Sequence, residues 1–138
     1  MPAMRLIIKF AAVCLPLCSR IAVTGADNQD YSKEVQVFTD VVYGHKFALA
    51  MTMDVLRPKR ANGAGIVWIV SGAWHSHVFP PEAAFSSTYP YAGFFDCRAL
   101  LDKGLAVFFV RHGDGSRFVL PEIVDDVRRS IRFIRLNA

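Results

Sequence analysis

The sequence predicts an α/β fold, an antiparallel hairpin followed by a parallel βαβ unit and one further helix, in three layers. Three observations carry this expectation. Residues 65–70 (Gly-Ile-Val-Trp-Ile-Val) and 105–110 (Leu-Ala-Val-Phe-Phe-Val) are unbroken apolar runs bounded by turn residues, the pattern of strands covered on both faces. The segment between them ends in a helix-like stretch that stops at Gly104, so the two runs form a crossover unit. After them Ile123, Val127, Ile131 and Ile134 fall at helical spacing, with arginines on the other side.

Taken in order, residues 27–34 are a polar lead-in. Residues 35–43 are rich in Val, Phe and Tyr and read as a strand, with Gly44-His45 as the turn after it. Phe47, Leu49, Met51, Met53 and Val55 then alternate with their neighbours, which predicts a second strand with two distinct faces. A polar connection over 57–63 leads into the first apolar run. Residues 71–90 carry three prolines and no periodicity, and read as a long loop of the kind that usually serves a function. Residues 91–103 form the crossover helix and 111–117 a glycine-rich turn. Pro121 suits the first turn of the last helix, where Glu122, Asp125 and Asp126 face the positive end of its dipole.

The first 26 residues have the parts of a secretory signal. Arg5 and Lys9 are its basic start, an apolar stretch runs to Leu17, and Val23-Thr24-Gly25-Ala26 offers a cleavage point. The expected division is therefore a signal peptide over 1–26 and a single domain over 27–138, secreted or periplasmic. Of the sixteen Lys and Arg residues, three lie in the leader, which has no acid, so the rest of the chain carries only +1. Such a balance argues against nucleic acid as a partner, and the Arg128, Arg129, Arg132, Arg135 cluster reads as a solvated helix face. No run approaches the roughly eighteen apolar residues of a membrane span. Beyond the leader Cys97 is the one cysteine, which leaves no internal disulfide and no cysteine-based metal site.

Chemistry is most legible where the first buried strand ends, at Val70-Ser71-Gly72-Ala73-Trp74. Ligands of open α/β sheets gather at the C-terminal edge of the strands, and small residues there leave backbone N–H groups free to face a crevice. Two adjacent donors of this kind suit the oxyanion formed when an ester carbonyl is attacked. An ordinary tight turn with Trp74 as a packing residue is the simpler reading of the same spacing. His75-Ser76-His77 places two imidazoles on one face of an extended segment, but no third ligand is placed by sequence and no metal site is expected.

The turn resembles the His-Gly-Gly-Gly-Trp oxyanion motif of α/β-hydrolase esterases and lipases of the hormone-sensitive-lipase and feruloyl-esterase kind, with Val70 and Ser71 replacing its first residues and Ala73 its last glycine. Met53-Asp54-Val55-Leu56-Arg57-Pro58 is similar to the end of that family's second strand. Leu101-Asp102-Lys103-Gly104-Leu105-Ala106-Val107 is similar to the entry to its fourth, and residues 121–135 to the helix before its nucleophile, with Asp126 at the recurrent aspartate. The resemblance covers about residues 35–138. It implies the N-terminal half of an α/β-hydrolase fold, a small ester substrate, no cofactor, and oxyanion donors at Gly72 and Ala73. Trp74, His75 and His112 would line the substrate crevice. It also implies that the nucleophile of a Gly-x-Ser-x-Gly elbow, the acid and the histidine follow later, and no such elbow occurs in this sequence. The expectation is thus an N-terminal part of a secreted serine ester hydrolase, cut before the elbow and inactive alone. The alternative is a non-catalytic secreted domain that binds a ligand or partner through its aromatic loop. Nothing in the sequence bears on oligomeric state.

Overall fold

The computed structural model describes residues 5–6, 31–84 and 97–137. Most of the expected leader lies outside the described residues. So does the first half of the expected crossover helix, residues 91–96.

Among the described residues five strands form one mixed sheet. They are β1 (Arg5–Leu6), β2 (Val35–Lys46, entered from the short helix α1, Tyr31–Glu34), β3 (Leu49–Pro58), β4 (Ala64–Ile69) and, after a separate small hairpin, β7 (Ala106–Val110). The sheet order is β1-β4-β7-β3-β2. β2 and β3 are antiparallel, β4 and β7 are parallel in the register Gly65 to Ala106 through Ile69 to Val110, and β3 runs antiparallel to β7. A parallel pair beside an antiparallel hairpin is the architecture expected.

β7 sits in the middle of the sheet, and the side chains of all five of its residues are buried. Alternate residues enter two different cores. Val107 and Phe109 join Val35, Leu56, Val70, Cys97 and Leu101 on one face. Ala106, Phe108 and Val110 join Tyr43, Met51, Met53 and Ile134 on the other. The first core is closed by the short helix α2 (Arg98–Asp102) and the second by the long helix α3 (Leu120–Asn137), which gives three layers. This two-sided cover explains the unbroken apolar run.

Local chemistry sets the ends of the elements. α2 stops in a Schellman cap: Gly104 takes φ +76°, the Gly104 N–H donates to Leu101 O at 2.8 Å and the Leu105 N–H to Leu100 O at 3.1 Å. α3 is entered through half a capping box, the Glu122 carboxylate accepting the Val119 N–H at 3.0 Å, with Pro121 in the first turn.

Three expectations need correcting. The β2–β3 turn is at Phe47–Ala48 (φ 46° and 62°), not at Gly44-His45. Gly44 lies inside β2 opposite Met51, where an added Cβ would meet the Arg129 side chain. The two-faced alternation of β3 fails past Met53, since Asp54, Leu56 and Pro58 are buried as well. In that half the strand lies between β2 and β7 with a core on each face. Residues 71–90 are not structureless where described: β5 (Ser71–Gly72) and β6 (His75–Ser76) make a hairpin, and Pro81–Ala84 a 3-10 turn.

The far side of β4 is paired only at its start, Arg5 with Ala64 and Leu6 with Gly65. Ile66 to Ile69 have no further strand partner on that side among the described residues.

Candidate functional site

The β5–β6 hairpin emerges directly from the C-terminal end of β4, where the Val70 N–H still reaches Val110 O on β7 at 3.0 Å. Ser71 lies opposite Ser76 and Gly72 opposite His75, so Ala73 and Trp74 form a two-residue loop. Both loop residues have positive φ, 49° and 68°. That is the hand of a type I′ turn, which matches the twist of a hairpin but normally recruits Asn and Gly. The residue pair next to a two-residue loop is the hydrogen-bonded one, so the Gly72 N–H faces the His75 carbonyl. The Ala73 N–H, at the loop's first position, lies outside the ladder. Gly72 also makes room for a ring: an added Cβ would lie 3.3 Å from His77 Nε2.

The glycine-rich segment that follows β7 comes up beside this hairpin. The Asp114 carboxylate accepts the Ser76 N–H at 3.0 Å and the Ser116 N–H at 2.9 Å, and both its oxygens approach His75 Nδ1, at 3.2 and 3.3 Å. These bonds, those from the Ser116 side chain and amide foremost, hold the Asp114 carboxyl below the ordinary aspartate range. The Gly115 N–H donates to Trp74 O at 2.9 Å, and an added Cβ at Gly115 would lie 3.0 Å from that oxygen.

Behind the segment is a buried ion pair. Lys46 Nζ, at the end of β2, lies 2.6 Å from Asp126 Oδ2 on α3, with side chains 9% and 1% exposed. The same oxygen accepts the Gly113 N–H at 3.0 Å, and the ammonium sits 3.9 Å above the Phe118 ring. Asp126 Oδ1 is buried without a partner among the described residues. A second network closes the adjacent strand ends. Arg111 binds the Asp54 carboxylate at 2.7 and 3.0 Å, Asp40 at 2.7 Å and Thr52 Oγ1 at 2.9 and 3.1 Å. Tyr43 donates its hydroxyl to Arg111 O at 2.6 Å.

The expected crevice residues separate. Trp74 and His75 are more than half exposed beside the hairpin loop. His112 is only 5% exposed, its Nδ1 is 2.6 Å from Gly113 O, and its Nε2 is buried without a partner among the described residues. It is buried, whereas Trp74 and His75 are exposed. Among the described residues no three His, Cys, Asp or Glu side chains converge to hold a metal ion, and no helix is long and apolar enough to cross a membrane. A pocket between Val70, His77, Phe79, Phe109 and Arg111 encloses about 20 Å³, space for one water and far short of a ligand cavity of roughly 300 Å³ or more.

The sequence reading passed over Asp114, Asp54 and Lys46 as functional or structural centres. The isolated acid inside the apolar run of β3 was a usable signal for Asp54. Lys46 and Asp114 gave none, since their partners are distant in the chain.

Solved structures of esterases have a similar fold. One is an inhibited esterase B from Lactobacillus rhamnosis, 18% identical, with a TM-score of 0.52 over 74% of this chain and 30% of that one. Another structure of esterase B from the same organism gives a TM-score of 0.50 at the same identity and coverage. A truncated carbohydrate esterase from gut microbiota is 26% identical, with a TM-score of 0.54 over 76% of this chain and 34% of that one. This chain carries part of an α/β-hydrolase fold, the part it shares with these esterases. It spans about a third of the length of the esterases it matches. No family model and no curated protein matches the sequence.

Proposed function

We propose that this chain supplies the oxyanion-hole turn of a secreted serine carboxylic-ester hydrolase, and that the chain alone does not turn over an ester. The observation that carries the reading is the left-handed Ala73–Trp74 loop set directly on the C-terminal end of a parallel strand. When a serine attacks an ester carbonyl, negative charge collects on the carbonyl oxygen, and a fixed N–H aimed at that oxygen lowers the barrier. The donor of this hairpin is the Ala73 amide. The Gly72 amide joins it only where the pair with His75 opens, so the turn as built offers one donor where the resemblance implies two. Trp74 and His75 flank the substrate. The serine, the acid and the base lie outside this sequence, which contains no Gly-x-Ser-x-Gly.

The test replaces the matching third of the gut-microbiota carbohydrate esterase with this chain, and then exchanges Ala73 for L-lactic acid by nonsense suppression. That change removes one N–H and keeps the side chain. With a short-acyl nitrophenyl ester, kcat is expected to fall about 10²–10³-fold with KM little altered, the usual effect of losing one oxyanion donor. An unchanged kcat sinks the reading. The unfused chain is expected to show no turnover above the blank, and turnover abolished by a serine-directed inhibitor overturns that part.

A further inference from the structure

Two consecutive residues without glycine's freedom hold φ values of 49° and 68° at Ala73 and Trp74. L-residues are disfavoured there, and such strain persists only where the surroundings over-determine it. The hairpin itself is too short to do so, with two residue pairs and no further strand. The restraint comes instead from residues 114–116, about forty positions away in sequence. Each contact falls on the turn or on the strand leaving it: the Gly115 N–H on Trp74 O, one Asp114 oxygen on the Ser76 N–H, and both oxygens beside His75 Nδ1. The second Asp114 oxygen is anchored in its own segment by the Ser116 N–H.

We propose that Asp114, assisted by the Gly115 amide, is a positioning residue that keeps the Ala73–Trp74 turn left-handed and so keeps the Ala73 N–H presented outside the hairpin ladder. The proposal rests on the reading of that amide as an anion donor. Asp114 touches no reacting atom in it. A carboxylate suits the task because it accepts from Ser76, His75 and Ser116 at once. Glycine suits position 115 because a Cβ would press on the Trp74 carbonyl.

The test is backbone amide hydrogen exchange on the full chain, read at Gly115 and, as an internal reference, at Val107–Val110. In the parent protein the Gly115 amide is protected. In Asp114→Ala, Gly115 exchange is expected to quicken about tenfold or more while the β7 amides keep their rates, because the turn relaxes locally. Adding Ala73→Gly relieves the strain directly, so the double variant Asp114→Ala/Ala73→Gly is expected to return Gly115 to within about threefold of the parent. A merely structural role for Asp114 gives no such rescue by a glycine on the far side of the contact. Unchanged Gly115 exchange in Asp114→Ala, no rescue in the double variant, or no protection anywhere in the chain, each overturns the proposal. Exchange involves no ester, so this experiment and the lactic-acid substitution fail separately. A held turn with an unaffected kcat refutes the donor and spares the positioning. A mobile turn with a large kcat loss does the reverse.

Discussion

Replacing Lys46 by Met tests the polar anchor beneath the site. At 2.6 Å and an effective dielectric constant of about 20, the attraction between Lys46 Nζ and Asp126 Oδ2 amounts to about 6 kcal/mol. Withdrawing two charges from water costs several kcal/mol for each, so the intact pair contributes little on balance. The single substitution is different. Methionine fills the space of the lysine stem but leaves the Asp126 carboxylate buried, with only the Gly113 N–H on Oδ2 and nothing on Oδ1 among the described residues. Removing one member of such a pair destabilises by about 3–5 kcal/mol. The ammonium's contact with the Phe118 ring is lost too, at about 1 kcal/mol or more. The double variant Lys46→Met/Asp126→Leu removes the stranded charge and is expected to recover most of that loss. Urea unfolding at neutral pH measures both, compared at a common m value. A single variant within about 1 kcal/mol of the parent, or a double variant no better than the single, refutes the account of this pair as a buried, mutually dependent unit.

Two further predictions concern the same region. Burial foremost, and then the Asp126 carboxylate, hold the Tyr43 hydroxyl above the ordinary tyrosine range. The folded state therefore favours the protonated phenol. Its contribution is complete below the unfolded value of about 10 and is lost as pH rises from there toward the folded value. Stability should thus fall more steeply above pH of about 10 in the parent than in Tyr43→Phe, and equal alkaline slopes in denaturant titrations contradict this. At Gly113 an added Cβ would lie 2.6 Å from Phe118 Cδ2, 2.9 Å from Lys46 Nζ and 3.0 Å from Asp126 Oδ2. Gly113→Ala is therefore expected to lose about 1–3 kcal/mol by overpacking, and an unchanged urea midpoint counts against that packing.

How much of this was legible in the sequence depends on the range of the interaction. The run at 106–110 announced a buried strand because cover on both faces leaves no polar position, and β7 has none, whereas β4, paired on its far side only at its start, is half-buried despite an equally apolar run. Gly104 announced the end of α2 because a left-handed cap nearly requires glycine. The β2–β3 turn misled because Gly44 is a glycine for packing beneath Arg129, while the true loop uses Phe47 and Ala48, which carry no turn signature. On α3 the stripe Ile123, Val127, Ile131, Ile134 was readable, but Asp126 and Ser130 share its buried face. The resemblance put Asp126 at the recurrent aspartate of that helix, but helical periodicity alone left it one more acid near the dipole. What singles it out is a lysine eighty residues earlier, a relation that no local pattern records. The candidate turn divides in the same way. Its place after β4 follows from local pattern, while its restraint by Asp114 and Gly115 follows only from the fold.

The position of the buried pair gives the site its logic. Residues 112–118 have no helix or strand of their own, yet they must hold a strained loop on one side. A mobile segment cannot do that, because relaxing the strain would cost less than keeping the segment ordered. The segment is fixed from behind instead. Asp126 binds its Gly113 amide, Lys46 neutralises Asp126, and Phe118 covers the ammonium. Asp114 and Gly115 then act from a rigid base one and two residues further on. A charged pair inside an apolar layer, and an alanine and tryptophan in a glycine-like turn that, unlike the similar Phe47–Ala48 turn, closes a hairpin of only two residue pairs, lie at opposite ends of one short stretch of backbone. The buried pair makes sense as the support of that turn better than as a contribution to stability, since apolar residues in its place would serve stability equally well.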